Sequence, residues 1–124
     1  MTVLVTIALL ASFVIHLMPT LGVLGASRLE SLYGIPVDDP AMRLLLQHRA
    51  VMFGIVAGIC LAGALWSPLR LTALVVALVS TGSYVALWWS VGARSVPIDR
   101  VAYIDVALVV LLGSALVGVL VARP

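Results

Sequence analysis

Long apolar segments, separated by short polar stretches, dominate the pattern of the chain. Each of the four segments holds close to the roughly 20 apolar residues that a helix needs to cross a hydrocarbon layer about 30 Å thick. The pattern therefore predicts an all-α integral membrane protein, folded as an antiparallel four-helix bundle that occupies residues 1–124 as one domain. The segments run from Val3 to Leu24, from Leu44 to Leu65, from Leu71 to Val91 and from Val101 to Val121.

The first polar connection carries signals for a short helix of its own. Ser27 and Glu30 have the spacing of a capping box, in which the hydroxyl and the carboxylate satisfy exposed amides at a helix start. Gly34 is a favourable end for such a helix because glycine readily adopts the left-handed conformation. We therefore expect a short interfacial helix in the first loop.

The second and fourth spans both begin beside a proline. Asp39 precedes Pro40, which favours Asp39 as the N-cap of the second helix and Pro40 as its first residue. Ser95 and Asp99 are competing N-caps around Pro97 for the fourth helix. These starts extend both helices beyond their apolar segments, so their first turns are expected at the headgroup zone or in a tilted span.

Ionisable and aromatic polar residues gather toward one end of the predicted bundle. With four crossings, the loops after the first and third spans lie on the same side of the membrane. The opposite end holds little beyond Cys60, which is expected to be a packing residue, and Trp66, Ser67 and Arg70. The candidate ligand-binding residues at the polar end are His16, His48, Arg49, Tyr84, Trp88, Tyr103 and Asp105.

Asp105 is the sharpest individual signal. A charged residue near the centre of a membrane helix costs about 2.5–3.5 kcal/mol on insertion scales, so such residues usually pair or line a polar cavity. Arg49 is expected at a similar depth, and the two side chains could meet as a structural pair. The alternatives are a carboxylate in reach of headgroup water, an arginine that snorkels to the interface, or a site for a ligand or a proton.

The two histidines lie on different helices and at different depths. His16 shares one face of the first helix with Ser12 and Thr20, which makes either a polar ligand-binding stripe or a histidine bonded to another helix. His48 directly precedes Arg49, and the step of about 100° between consecutive helical residues points the two in different directions. Neither histidine belongs to a ligand-spacing motif, so we expect no metal and no cofactor.

The third span carries Ser80, Tyr84 and Trp88 at four-residue steps. This face could stack against and hydrogen-bond a ring-bearing ligand, whereas the plainer alternative for Trp88 is an aromatic anchor at the membrane interface. Polar faces on the first and third spans, with ionisable residues on the second and fourth, together predict one pocket in one leaflet.

Small residues recur every four positions along the second span, at Ala50, Gly54, Gly58 and Ala62. Such a ridge lets another helix backbone approach closely. The sequence leaves open whether that helix belongs to the same chain or to a neighbouring protomer.

Composition agrees with a protein that lies almost wholly in a bilayer. Hydrophobic residues make up 64% of the chain and charged residues 10%, with a mean hydropathy of +1.27. These values exclude an ordinary soluble catalytic domain. The first span lacks a basic leader and a cleavage motif, so we expect a retained helix and not a signal peptide. The net charge of +2 gives no argument for nucleic acid as a partner.

Two adjoining stretches carry a family resemblance. LYGIPVDDP at residues 32–40, followed by LLLQHRAVMFG at residues 44–54, resembles small bacterial four-helix inner-membrane proteins of the DoxX-like kind and related families of unknown function. The resemblance implies a multi-pass protein of the bacterial inner membrane and no established reaction. Some similar sequences carry the label phosphopantetheine adenylyltransferase. We reject that label because it requires a soluble nucleotide-binding fold with a phosphate-binding histidine motif, and this chain has neither.

Three functions fit the pattern. The leading hypothesis is a membrane protein whose pocket binds an apolar or amphipathic small molecule, lipid- or quinone-like, with Arg49 on its polar head and Asp105 orienting Arg49 or exchanging protons. The second is a structural accessory subunit of a larger membrane complex, or a homo-oligomer, docked through the small-residue ridge. The third is a proton-transfer isomerase that uses His16, His48 or Asp105. Membrane lipid is the expected surrounding partner in all three.

The arginines give a weak indication of orientation. Arg28, Arg43, Arg94 and Arg100 fall on the loops after the first and third spans, whereas Arg70 and Arg123 fall on the other side. By the positive-inside rule this distribution favours cytoplasmic loops at the polar end.

Overall fold

The computed structural model describes residues 1–123, and this part of the chain is all-α, without strands. Four long helices form an antiparallel bundle, with one short helix in the first loop. The helices are α1 (Thr2–Leu17), which continues as the 3₁₀ segment Met18–Leu24, α2 (Ala26–Tyr33), α3 (Pro40–Leu65), α4 (Arg70–Val91), which follows the 3₁₀ turn Ser67–Leu69, and α5 (Val96–Val121).

Each long helix is apolar enough to cross a membrane. Within residues 1–123 the four spans contain between 23 and 26 residues, and their mean hydropathies lie between 1.7 and 2.6. A helix of about 20 residues already covers the hydrocarbon layer. The chain is therefore a multi-pass membrane protein, as its hydrophobic pattern predicts. The spans are Thr2–Leu24, Pro40–Leu65, Ser67–Val91 and Val96–Val121.

The four long helices form a ring that is flattened along one diagonal. Helix α1 packs against α3 and α5, and α4 packs against the same two neighbours. Across the bundle α1 also touches α4, whereas none of the described Cα atoms of α3 and α5 come within 8 Å of each other. Helices α3 and α5 therefore stand at the far ends of the long diagonal.

Small side chains make the short diagonal possible. Ala73 and Ala77 on α4 and Ala8 on α1 are completely buried. At the neighbouring contact between α3 and α4, a Cβ atom added to Gly63 would collide with the Cβ of Ala73, so small residues also set that spacing. Small residues let helix backbones approach closely without loss of packing. Cys60 is also buried in this core, as its packing interpretation expects. The core residues are Val5, Ala8, Leu9, Cys60, Ala64, Ala73, Leu74, Ala77, Leu108, Leu112 and Ala115.

The first span is not one continuous α-helix. It changes to 3₁₀ geometry after Leu17, close to Pro19, which has no amide hydrogen to donate to the preceding turn. The Thr20 hydroxyl donates to the carbonyl oxygen of His16 at 3.1 Å. A Cβ atom on Gly22 would lie 2.6 Å from Cδ2 of Leu29, so a larger residue there would require the Leu29 side chain to move.

The short helix expected in the first loop is present, but its capping box is not. Helix α2 starts after Gly25 without a side-chain cap, and Ser27 lies inside the first turn. The Glu30 carboxylate accepts instead from the amide of Val37 at 2.9 Å, and so holds the loop that returns toward α3. The helix ends as expected at Gly34, which has a φ of 66° in the left-handed region.

Helix α2 is fastened across the polar end of the bundle. Leu29, Tyr33 and Val37 form a second small core, and the Ser95 hydroxyl donates to the carbonyl oxygen of Tyr33 at 3.3 Å. Gly34 packs directly on the ring of Pro97. This helix therefore covers the end of the bundle where the polar residues gather.

A side-chain N-cap marks the start of each of the two helices that begin beside a proline. The Asp39 carboxylate accepts from the amide of Ala41 at 3.2 Å, which confirms Asp39 as the N-cap of α3. For α5 the N-cap is Ser95, whose hydroxyl accepts from the amide of Ile98 at 3.3 Å. Asp99, the competing candidate, lies in the first helical turn.

The small-residue ridge of α3 packs within the chain at its polar end. Ala50 is completely buried near Gly22, and a Cβ atom on Gly54 would lie 3.2 Å from Cγ2 of Thr20. Gly58, in contrast, has nothing within 4 Å of its Cβ position in the described part of the chain. Ala62 is partly buried. The ridge thus seats the 3₁₀ segment of the first span, and a second protein at Gly58 stays a prediction.

Two glycines on one helix test this packing. We expect Gly63→Ala to destabilise the protein by about 1–3 kcal/mol, because overpacking a close helix contact forces the backbones apart. Gly58→Ala serves as the matched control and should leave stability unchanged or raise it by up to about 1 kcal/mol, because alanine favours the helix and meets no neighbour there. Reversible unfolding in mixed detergent micelles measures both. Equal effects would show that α3 and α4 do not approach closely at Gly63.

Candidate functional site

A cavity of about 230 Å³ lies at the polar end of the bundle. Helix α2 and the first turns of α5 bound it on the loop side, and α1 and α5 form most of its length. Most of its wall is apolar. The polar and charged lining residues are His16, Ser31, Tyr84, Arg100 and Asp105, and the apolar lining includes Ile15, Pro19, Leu32, Phe53, Pro97, Val101 and Ile104.

Asp105 presents its carboxyl group to this cavity. It lies on the inward face of α5, one turn from Ala102 and from Leu108, and is only 7% exposed. No described side chain or backbone group within residues 1–123 hydrogen-bonds or forms an ion pair with it, yet its oxygen atoms are not sealed from the cavity. A buried charged group without a partner is costly. Asp105 is therefore the group in this wall that most needs a partner.

Arg49 does not form an ion pair with Asp105, which was one of the alternatives that the sequence left open. The two residues belong to α3 and α5, which stand at opposite ends of the long diagonal, and their charged atoms do not come within 4.0 Å. The guanidinium carbon of Arg49 lies instead 4.8 Å from the ring centre of Phe53, 5.1 Å from Tyr33 and 5.5 Å from Tyr84. Cation–π attraction to three rings holds the side chain on the α3–α4 side of the bundle.

His16 is bonded to another helix, which is the plainer of its two interpretations. Its Nδ1 lies 2.8 Å from the carbonyl oxygen of Ser12, and its Nε2 lies 2.9 Å from the hydroxyl oxygen of Ser80. A carbonyl oxygen only accepts, so Nδ1 carries a hydrogen, and in the neutral ring Nε2 accepts from the Ser80 hydroxyl. Both ring nitrogens are engaged. His16 thus ties α1 to α4 across the short diagonal and has no free nitrogen for the cavity.

Three other predicted site residues lie outside the cavity. His48 is exposed on the surface of α3, and Tyr103 is 66% exposed on α5. Trp88 packs edge-on against Tyr103, donates from Nε1 to a carboxylate oxygen of Asp99 at 2.9 Å, and carries the guanidinium of Arg94 4.1 Å above its ring centre. Trp88 therefore links α4 to α5. It also borders a separate hollow beside Arg49.

Tyr84 connects the two polar regions. Its ring faces both the cavity and Arg49, and its hydroxyl donates to the carbonyl oxygen of Ile98 at 3.3 Å. Of the predicted ligand-binding residues, the structure brings His16, Tyr84 and Asp105 to one cavity wall. Arg49 lies behind that wall.

Sequence reasoning missed Phe53 and Tyr33. Phe53 stands between the two regions, with its ring centre 5.8 Å from that of His16 and beneath the Arg49 guanidinium. It follows Arg49 by four residues on one helix, a spacing that brings side chains together, so this contact was predictable. The Tyr33 contact depends on how α2 folds over the bundle, for which the sequence carries no signal.

No group of three or more His, Cys, Asp or Glu side chains in residues 1–123 lies close enough to hold a metal ion. The polar donors and acceptors of the cavity are suited to hydrogen bonding with a small molecule. Comparison with protein-family models, with curated proteins and with solved structures finds no match for this chain. The DoxX-like resemblance of residues 32–54 therefore stays a prediction.

The bond between His16 and Ser80 leads to a first test at this site. We expect Ser80→Ala to lower the free energy of unfolding by about 1 kcal/mol, because the partner nitrogen of His16 is left without its hydrogen bond inside the bundle. The matched control is Ser83→Ala on the same helix, whose exposed hydroxyl bonds only to the carbonyl oxygen of Ser80. Ser83→Ala should change the free energy of unfolding by less than about 0.5 kcal/mol relative to the wild type. Detergent unfolding curves that coincide for the two variants would contradict this role of Ser80.

Tyr33 leads to a test of pH dependence outside the spans. Burial raises the pKa of its phenol above the ordinary 10.0, and the nearby Arg49 guanidinium offsets part of that rise. The folded protein thus holds this proton more tightly than the unfolded chain. Stability from this group is complete below about pH 10 and falls as the pH rises above it. Unfolding measured from about pH 9 to about pH 11 should show this decline, and Tyr33→Phe should reduce its slope. An unchanged slope would show that Tyr33 is not buried.

Proposed function

We propose that this multi-pass membrane protein binds an amphipathic small molecule, lipid- or quinone-like, in the Asp105 cavity. The observation that carries the proposal is a buried carboxyl group that faces a largely apolar cavity and has no hydrogen-bonding partner within residues 1–123. Ligand sites are typically apolar hollows in which a few polar groups fix the orientation of the ligand.

The volume of the cavity limits how much of a ligand it can enclose. At about 230 Å³ it is smaller than the roughly 300–1,000 Å³ of pockets that enclose a whole drug-sized ligand. A single ring or a compact head therefore fits, and the rest of the molecule must lie outside. Ile104 is 40% exposed on α5 at the border of the cavity, so an apolar tail would continue along the helix into lipid.

The polar residues of the cavity that lack a protein partner indicate which chemical groups the head of the ligand carries. His16 and Tyr84 already bond to protein groups, so Asp105 is the buried polar residue left to recognise the ligand, whereas Ser31 and Arg100 line the cavity from exposed positions. A carboxylate accepts from a hydroxyl, and a carboxylic acid donates to a carbonyl oxygen. Quinols, quinones and hydroxylated lipid heads all present matching groups, whereas a purely hydrocarbon ligand would leave Asp105 unpartnered.

The resemblance of residues 32–54 to DoxX-like proteins supports a location in the bacterial inner membrane. The arginines of the loops at the polar end favour the cytoplasmic leaflet for the cavity. The accessory-subunit alternative keeps one specific observation in its favour, which is the outward-facing Gly58. The isomerase alternative has less support, because both nitrogens of His16 are engaged and His48 is exposed away from the cavity.

Binding of decylubiquinone to the purified protein tests the proposal. Calorimetric titration in detergent micelles should detect binding, and Asp105→Leu should weaken it about tenfold, because leucine cannot donate a hydrogen bond to a quinone oxygen as the carboxylic acid does. Val101→Phe should abolish it by filling the cavity. Val110→Phe adds the same volume on the exposed face of α5, and Asp38→Asn removes a charge elsewhere at the same end. Both controls should bind within about twofold of the wild type.

Mass spectrometry of a solvent extract of the purified protein supplies an independent check. A quinone or a hydroxylated lipid that is retained by Val110→Phe and lost from Val101→Phe supports the proposal. Equal retention by the two variants would contradict it, because the ligand would then lie outside the Asp105 cavity.

A further inference from the structure

Arg49 is a cation in a ring-lined setting that holds no acceptor for it. Its guanidinium lies within 5.5 Å of the ring centres of Phe53, Tyr33 and Tyr84. Among the residues that the structure describes, none accepts a hydrogen bond from it or pairs with its charge. Ring faces attract a cation but do not replace hydrogen-bond acceptors, and a guanidinium carries five donors.

The carboxylates around this setting are accounted for. Glu30 of α2 accepts from the Val37 amide, and Asp99 of α5 is held by Trp88 and Arg94. Asp105 faces the cavity and stays beyond ion-pair distance, so it attracts the guanidinium only from farther away. Among the residues that the structure describes, no carboxylate therefore contacts Arg49.

Arg49 borders two hollows along the seam between α3 and α4. One hollow, of about 390 Å³, is shared with Phe53, Ser83 and Leu87, and the other, of about 220 Å³, lies toward the loops beside Tyr33. Because α3 and α4 are neighbours in the ring, their seam opens to the outside of the bundle, where lipid lies against the spans. Leu87 and Ser83 are exposed there, so the guanidinium is reached from an apolar groove with a hydroxyl at its side.

We propose that Arg49 binds the phosphate of an anionic phospholipid whose acyl chain lies in the α3–α4 seam. A guanidinium bonds phosphate oxygens through two parallel N–H donors, which is the geometry that arginine provides and lysine does not. The three rings fix the side chain in place before the lipid arrives, so little side-chain freedom is lost on binding. This site is separate from the Asp105 cavity and does not depend on the function proposed for it.

Lipid retention by the purified protein tests this site. Native mass spectrometry after titration with phosphatidylglycerol and with phosphatidylcholine should show preferential binding of the anionic lipid by the wild type. Arg49→Gln should reduce the affinity for phosphatidylglycerol about tenfold, and Arg49→Lys should recover only part of it. The matched control is Arg43→Gln, which removes an exposed charge from the same helix and should change the affinity less than about twofold.

Two further measurements distinguish a phospholipid from a free anion and the Arg49 site from the Asp105 cavity. Inorganic phosphate at millimolar concentration should compete weakly, because it lacks the chain that fills the seam. Full displacement of the lipid by phosphate would overturn the lipid assignment in favour of a free-anion site. Asp105→Asn should retain phosphatidylglycerol, which keeps this result distinct from any failure of the cavity proposal. Equal binding of the two lipids by the wild type, or equal losses in the Arg49→Gln and Arg43→Gln variants, would refute the site.

Discussion

The close approach of α1 and α4 is the constraint on which the polar end depends. Alanines bring the two backbones together in the core, and the bond from Ser80 to Nε2 of His16, at 2.9 Å, joins them again nearer the loops. A four-helix ring that is short along one diagonal is long along the other. Helices α3 and α5 are consequently held apart, and the cavity forms at the polar end between the first span, α5 and α2.

This spacing gives two opposite charges separate environments. Asp105 faces a cavity, and Arg49 is surrounded by aromatic rings on the α3–α4 seam. An ion pair between them would satisfy both groups and leave no demand for a ligand. Closer to the loops, Asp99 does meet Arg94 at 3.7 Å and Trp88 at 2.9 Å, where the helices α4 and α5 are neighbours in the ring. The short loop between α4 and α5 thus brings Arg94 to Asp99, whereas no such connection joins Arg49 to Asp105.

The sequence predicts the helices well because its signals are local. Apolar length defines the four spans, and Asp39 caps α3 beside Pro40 as expected. The sequence could not decide whether Arg49 and Asp105 pair, since distance from a helix start gives depth in the membrane but not position around the ring. Which helices share the short diagonal depends on how small faces, such as those of Ala8 on α1 and Ala77 on α4, fit together. Glu30 is a similar case, because its partner Val37 is set by the loop and not by helix capping.

If Asp105 is free of protein partners, its carboxylate adds nothing to stability, and unfolding of Asp105→Asn in ligand-free detergent tests this most directly. Asp99→Asn, which breaks contacts to Trp88 and Arg94, is the comparison. We expect Asp105→Asn to have the same free energy of unfolding as the wild type or a higher one, since no partner is lost and a buried charge is removed. A loss of about 3 kcal/mol or more, as for one half of a buried ion pair, would contradict it.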